Sequence, residues 1–321
     1  MTPLASLPEP NFDLFKISCG IDFVRFFSPI SKSLALHLPL SRIYYKPMHA
    51  HGHDGMLVTI HDPKVYDLII VTRELPAAVI DAIEVYCDFT PKDKTIPLKE
   101  RHDRIEDVRQ WLISHLLPWQ AVGIQAATRI SAGLGHSAPV YTDKIRTRAT
   151  ADETMYFGHS DSKYADPGKP NFAFMRLYKK VRDNGAALLP ANHRCHLEVT
   201  LNQFGCKHFG LTYPESIFDF DFRDLGEYFR LVKPEVKRPA TPKRVSAGHP
   251  RLSRFFDERR MRAAAETLIL VGSHAASHEK LLNVDRLHRH AAGNKMILKS
   301  LDDLSHRIEK RRNYVREWGS F

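Results

Sequence analysis

Cysteine is scarce in this sequence: Cys19, Cys87, Cys195 and Cys206 are the only four among 321 residues, and no two form a C-x-x-C pair. That excludes a zinc ribbon and a thioredoxin-type redox site, and it leaves each cysteine as a reduced, buried structural thiol. Long apolar runs are missing as well. No stretch approaches the ~20 residues that a membrane span needs. The opening residues MTPLASLPEPNFDLFK lack the basic and apolar regions of a signal peptide. The expectation is a cytoplasmic protein with no membrane partner. Walker, Rossmann and metalloprotease signatures are absent, and no internal repeat is present.

What is there is globular material. Hydrophobic residues make up 43%, aromatic residues 10% and charged residues 26%, enough to build a core, and the length suggests about two domains. The charge is unevenly placed. Of 47 Lys+Arg and 37 Asp+Glu, residues 233–321 hold 20 and 10, which leaves 27 of each in 1–232. The whole net charge of +10 therefore belongs to the last 89 residues. Such asymmetry points to a polyanionic partner, nucleic acid being the commonest inside a cell, with a solvated, solubilising surface as the alternative.

Hydropathy patterning divides the chain further. Residues 21–27 read as a strand, and 68–71 as a buried strand or the start of a helix. Residues 80–89 alternate, with Ile83, Val85, Cys87 and Phe89 on one face and Glu84, Tyr86 and Asp88 on the other. Apolar residues recur at helical spacing over 103–117, with Pro118 ending the run. Three strand-like runs follow at 154–158, 172–180 and 195–201, and the last two are expected to pair antiparallel. Residues 233–254 are basic and proline-rich, a linker composition. Beyond them, 255–271, 279–290 and 296–318 read as helices. The expected fold is α+β: an antiparallel-sheet domain over 1–232, a linker over 233–254 and a helical, basic DNA-binding region over 255–321.

One row of side chains carries chemistry. Strand alternation puts Arg176, Tyr178 and Lys180 on a single face, so two cations flank a phenol. A phenol with its ordinary pKa of about 10 is a poor nucleophile near neutrality. Adjacent cations favour the phenolate, and they also bind phosphate. In the following strand His196, Glu198 and Thr200 share a face, which sets Glu198 opposite this row. With Glu84 or Asp88 as a second ligand, Glu198 could hold a hard divalent cation such as Mg²⁺. The same residues also suit a cross-strand salt-bridge ladder. A separate run, His49-Ala50-His51 with His53 and His61 nearby, matches a His-hydrophobic-His metal motif, but Pro47, Gly52, Asp54 and Gly55 around it read as a loop.

The ordered set TMYFGHSDSK (154–163), RLYKK (176–180) and HLEVTL (196–201) resembles the motifs of rolling-circle replication initiation factors of plasmids and filamentous phages. These are initiators without the His-hydrophobic-His site. IEVYCDF (83–89) is similar to that family's acidic strand, GIDFVRF (20–26) to its opening strand, and FDFDFRDL (218–225) sits where the catalytic domain closes. The likeness spans about residues 17–232. It implies Tyr178 as the nucleophile, with Tyr156 as the alternative, Arg176 and Lys180 as phosphate contacts, and Glu198, Glu84 and Asp88 as ligands for Mg²⁺ or Mn²⁺. It also implies origin DNA as partner, both duplex and single strand, along with a host helicase and polymerase, and a homodimer. The chain departs from the pattern at Lys179, His159 and His196, and in an insertion, YADPGKPNFA. The function expected is nicking of one strand at a replication origin. A conjugative relaxase, a non-catalytic DNA-binding regulator and a viral packaging protein are the rivals.

Overall fold

The computed structural model describes residues 9–30, 43–50, 52–75, 77–116, 123–125, 128–131, 140–141, 154–159, 166–183, 185–234 and 287–318. Among them the chain is α+β. The main strands are β1 (Phe15–Ser28), β2 (Ile43–Ala50), β3 (His53–His61), β4 (Val79–Pro91), β5 (Thr128–Ser131), β6 (Val140–Tyr141), β7 (Thr154–Phe157) and β8 (Ala173–Lys180). A small hairpin then joins β9 (Arg182–Asp183) to β10 (Ala186–Ala187), and β11 (Arg194–Asn202) follows it. Nine of these strands form one antiparallel sheet in the order β2-β3-β1-β4-β11-β8-β7-β5-β6. The helices are α1 (Val65–Glu74), α2 (Leu98–His115), α3 (Gln203–His208) and α4 (Ala291–Trp318). Residues 68–71 lie inside α1, which settles the open choice between strand and helix. None of the described helices is long and apolar enough to cross a membrane.

The alternation in 80–89 is realised in β4. Val85, Cys87 and Phe89 join Val199, Leu197 and Cys195 of β11 and Met175 and Leu177 of β8 in one buried layer, with Ile105, Val108 and Leu112 of α2 in the same core. As expected, β8 and β11 pair antiparallel, His196 standing opposite Tyr178 and Glu198 opposite Arg176. All four cysteines are buried free thiols.

Two expectations need correction. The His49-Ala50 segment is not a loop. It ends β2, paired with β3 through a turn in which Gly52 has φ +77°, a conformation that glycine adopts without the Cβ clash. His51 lies outside the described residues. The second correction concerns the C-terminal region. Most of the expected linker and of the helices at 255–271 and 279–290 lies outside the described residues. Lys233 and Pro234, however, belong to β12 (Val232–Pro234), which pairs with β13 (Leu287–Arg289) where helix was expected. The third helix, α4, is not a separate basic element, because its apolar stripe of Ile297, Leu301, Leu304 and Ile308 is buried in the common core.

The reason α4 packs here is an open strand edge. β3 pairs only with Phe23–Ser28 of β1, so the first half of β1 would expose unpaired backbone groups on that side. α4 closes this edge with side chains. Ser300 Oγ accepts from the Cys19 N–H at 2.8 Å, and Arg307 donates to the Cys19 carbonyl at 2.6 Å. At the start of the helix, Asn294 accepts from the Leu231 N–H and donates to the Leu231 carbonyl, both at 2.8 Å.

A chain ending at 232 should therefore fail to fold as the full chain does, losing protease resistance and cooperative melting. Leu301→Ala, which empties a fully buried position, should lower stability by about 2–5 kcal/mol, measured as a shift of the urea midpoint. A compact, cooperatively unfolding 1–232 fragment would contradict this packing.

Candidate functional site

Polar side chains of β1, β4, β8 and β11 meet on the sheet face opposite α2. β4 and β11 are central strands, so Glu84, His196 and Glu198 are at most 1% exposed. Charge removed from water to that degree must be paired, and the ladder register supplies the partners. Asp88 accepts from His196 Nδ1 at 2.5 Å and pairs with Arg194 Nε at 2.7 Å. His196 Nε2 lies 2.9 Å from Glu198 Oε2. Arg176 Nη2 is 2.9 Å from both oxygens of Glu84, and its Nε pairs with Glu198. Thr200 donates to Glu84. The Tyr178 hydroxyl donates to Glu198 Oε2 at 3.3 Å. The His196 ring sits between two phenols, 5.2 Å from Tyr86 and 5.1 Å from Tyr178.

Among the described residues, the group of carboxylates close enough to share a metal ion is Asp22, Glu84 and Glu198, with ligand atoms within 4.8 Å of one another. Two of the three expected ligands are there. Asp88 is not; its oxygens face His196 and Arg194, and Asp22 takes the third place. Strand alternation hides Asp22, since it shares parity with Val24 and Phe26, both in the core. The register between β1 and β4 shifts between Ile21 and Phe23. That bulge adds one residue and lets Ile21 and Val24 both stand opposite core positions of β4. The Asp62 N–H, from a residue at φ 45°, donates to the Asp22 carbonyl at 2.6 Å and holds the bulge. A lone acid at a core-parity position is the signal the sequence offers. Three oxygen donors suit a hard divalent cation.

The row Arg176, Tyr178, Lys180 is assembled on this face as alternation requires, but its cations are not free. Arg176 is shared by Glu84 and Glu198. Lys180 Nζ lies 3.2 Å from Asp22 and 3.3 Å from Asp183. Arg176 favours the phenolate, but burial, then Glu198, outweigh it and hold the Tyr178 phenol well above its usual pKa. Tyr156 stands opposite Arg176 in the pairing of β7 with β8. Burial and then Glu198 push Glu84 up to about 7 despite Arg176. Burial also opposes charge on His196, but Asp88 and Glu198 prevail and raise it to about 9, so it is an imidazolium at neutral pH. Burial works against charge on Asp22 too, yet Lys180 and His196 keep its pKa below the ordinary value. His49 is remote from this cluster in function, being an exposed partner of Asp54 at 2.9 Å.

Glu84 and His196 both bind protons more tightly in the folded chain, so folding is favoured at lower pH and that advantage is lost as pH rises. For Glu84 the loss runs from about 4.5 to about 7, and for His196 from 6.5 to about 9. In chelator, the melting temperature should fall between pH 6.5 and 9, and His196→Asn should flatten that fall. A wild-type melting temperature that rises over this interval would refute the assignment. Compared with known proteins, the chain matches no family model and no curated sequence, so the chemistry of the site rests on these residues.

Proposed function

We propose that the chain is a replication initiator of the rolling-circle type, which nicks one DNA strand at an origin through Tyr178. The observation that carries this reading is the Tyr178 hydroxyl at 3.3 Å from Glu198, itself one of three clustered carboxylates. A phenol next to a hard-cation site is what transesterification of a phosphodiester requires. Asp22, Glu84 and Glu198 would hold Mg²⁺ or Mn²⁺, which when bound supplies Lewis-acid charge stabilisation to phosphate oxygens.

The protein's own part of the reaction follows from the hydrogen bonds. Tyr178 passes its proton to Glu198 Oε2, the oxygen it already contacts, and its phenolic oxygen bonds to phosphorus. The bond from phosphorus to the 3′ oxygen breaks, and that oxygen takes a proton from water. The products are a 5′-phosphotyrosine and a free 3′-OH, which a host polymerase extends. Arg176 is the phosphate contact best placed for this, since 31% of its side chain remains exposed while Lys180 is nearly closed off. Origin duplex, a host helicase and a second copy of the chain are the partners this function calls for. A second reading, a DNA-binding regulator that no longer nicks, draws support from the ion pairs that tie up Arg176 and Lys180.

Tyr178→Phe should remove the covalent adduct with labelled single-stranded origin DNA while leaving DNA affinity within about threefold. Loss in Tyr156→Phe alone would move the nucleophile. No adduct from the wild type on DNA of its own replicon, with Mn²⁺ present, would favour the regulator.

The carboxylate trio makes a separate demand that calorimetry can check. Asp22→Asn and Glu198→Gln should each weaken Mn²⁺ binding at least tenfold, whereas Asp88→Asn should leave it much closer to wild type in whatever fraction folds. The reverse order would restore Asp88 as ligand in place of Asp22.

A further inference from the structure

Beside the acidic site, on the same sheet face, lies a cleft of about 180 Å³ between β1, the turn at 62–64 and α4. Tyr86 is the wall that the two share. Its ring is 5.2 Å from His196, and its hydroxyl lies over Gly20, where a Cβ would come within 2.4 Å of the phenolic oxygen. The cleft is smaller than the roughly 300–1,000 Å³ of pockets that enclose a drug-sized molecule. It suits one group of a longer ligand.

Its charge is distinctive. Lys64, Arg307 and Arg311 line it against one carboxylate, Asp62. Near the acidic site Arg176, Lys180 and Arg194 are each held by carboxylates, but among the described residues no carboxylate forms an ion pair with Lys64, Arg307 or Arg311. Arg307 spends one N–H on the Cys19 carbonyl, and a guanidinium has others to offer. Arg307 and Arg311 are one helical turn apart, so they project along the same flank of α4. The acidic site, its cations already matched by carboxylates, offers an approaching polyanion little attraction. The neighbouring cleft offers it three cations that no ion pair holds among the described residues.

We propose that this cleft seats backbone phosphates of the single DNA strand whose neighbouring phosphodiester lies at Tyr178, with Lys64, Arg307 and Arg311 as the contacts. The inference rests on reading the acidic site as a place where a DNA strand is handled, but it concerns binding and not cleavage. Single-stranded DNA bound in this way is tracked by cations along its backbone.

The experiment measures anisotropy of a labelled single-stranded oligonucleotide with the full chain, in chelator, across a salt series. Removing one cation that neutralises a phosphate should reduce the slope of log K against log salt by about 0.7. Lys64→Ala with Arg311→Ala should therefore weaken binding by roughly tenfold or more at 0.1 M salt and flatten the slope by about 1.4. Arg307 is left intact because it also closes the β1 edge. Arg311→Lys should keep most of the affinity. Lys295→Ala with Lys299→Ala, exposed on another flank of α4, should cost less than threefold, and all variants should melt as wild type does. An unchanged slope in the cleft variant, or an equal loss in the Lys295 and Lys299 variant, overturns the proposal. So does protection of the cleft by inorganic phosphate that leaves DNA affinity untouched. Failure of the nicking reading would appear instead as no covalent adduct with this binding intact.

Discussion

Charge buried at the centre of a β-sheet has to be neutralised within the sheet, and that constraint organises this molecule. Glu84 and Asp88 on β4 and His196 and Glu198 on β11 are almost entirely withdrawn from water. Their neighbours are set by the ladder, where directly opposed side chains lie about 4.5–5.5 Å apart. A slip of one residue between β8 and β11 would turn Arg176 toward α2 and leave Glu198 without its cation, and an unpaired buried charge costs on the order of 3–5 kcal/mol. The polar row thus specifies register alongside the apolar row of Leu177, Leu197 and Cys87. The same ion pairs are a device of folding and the scaffold of a site.

The arrangement also fixes the electrostatic state of the site. Glu84 is raised because burial and a second carboxylate work together, and Arg176 reverses only part of that. His196 goes the other way because it faces two carboxylates at hydrogen-bond distance. From its position between Asp88 and Glu198, the imidazolium bridges two acids on adjacent strands with its two ring nitrogens. Asp88 is thereby committed to orienting His196, and the acidic trio recruits Asp22 from β1.

Much of this is legible in the sequence, and for a definite reason. Period-two alternation identifies β4, β8 and β11, and the face shared by Arg176, Tyr178 and Lys180 follows from it. Alternation fails at a bulge, so Asp22, which has core parity, escapes assignment while Asp88, which has site parity, takes its place. The cations of the row read as activators of Tyr178 because sequence shows neighbours along a strand. Burial first, and then Glu198 across the ladder, decide the phenol's state. The edge role of α4 is equally out of reach, since it depends on β3 stopping short of the first half of β1. A count of basic residues singles out the C-terminal region but not the buried stripe that anchors it.

The pairing of Arg176 with the carboxylates has a consequence for the proposed chemistry. On that reading, Arg176 and a divalent cation compete for Glu84 and Glu198, since both satisfy the same oxygens. Without a metal, the trio is neutralised by protein cations and a Glu84 that titrates near neutrality, while Tyr178 is held as a neutral phenol facing a carboxylate. The neutral phenol and the engaged guanidinium both oppose nucleophilic attack. A dication held by the trio would favour the ionised Glu84 and the phenolate of Tyr178, and would leave a partly exposed guanidinium for phosphate. On that reading, the ion pairs that let the sheet fold around buried charge would also keep the tyrosine unreactive until cation and DNA are both present.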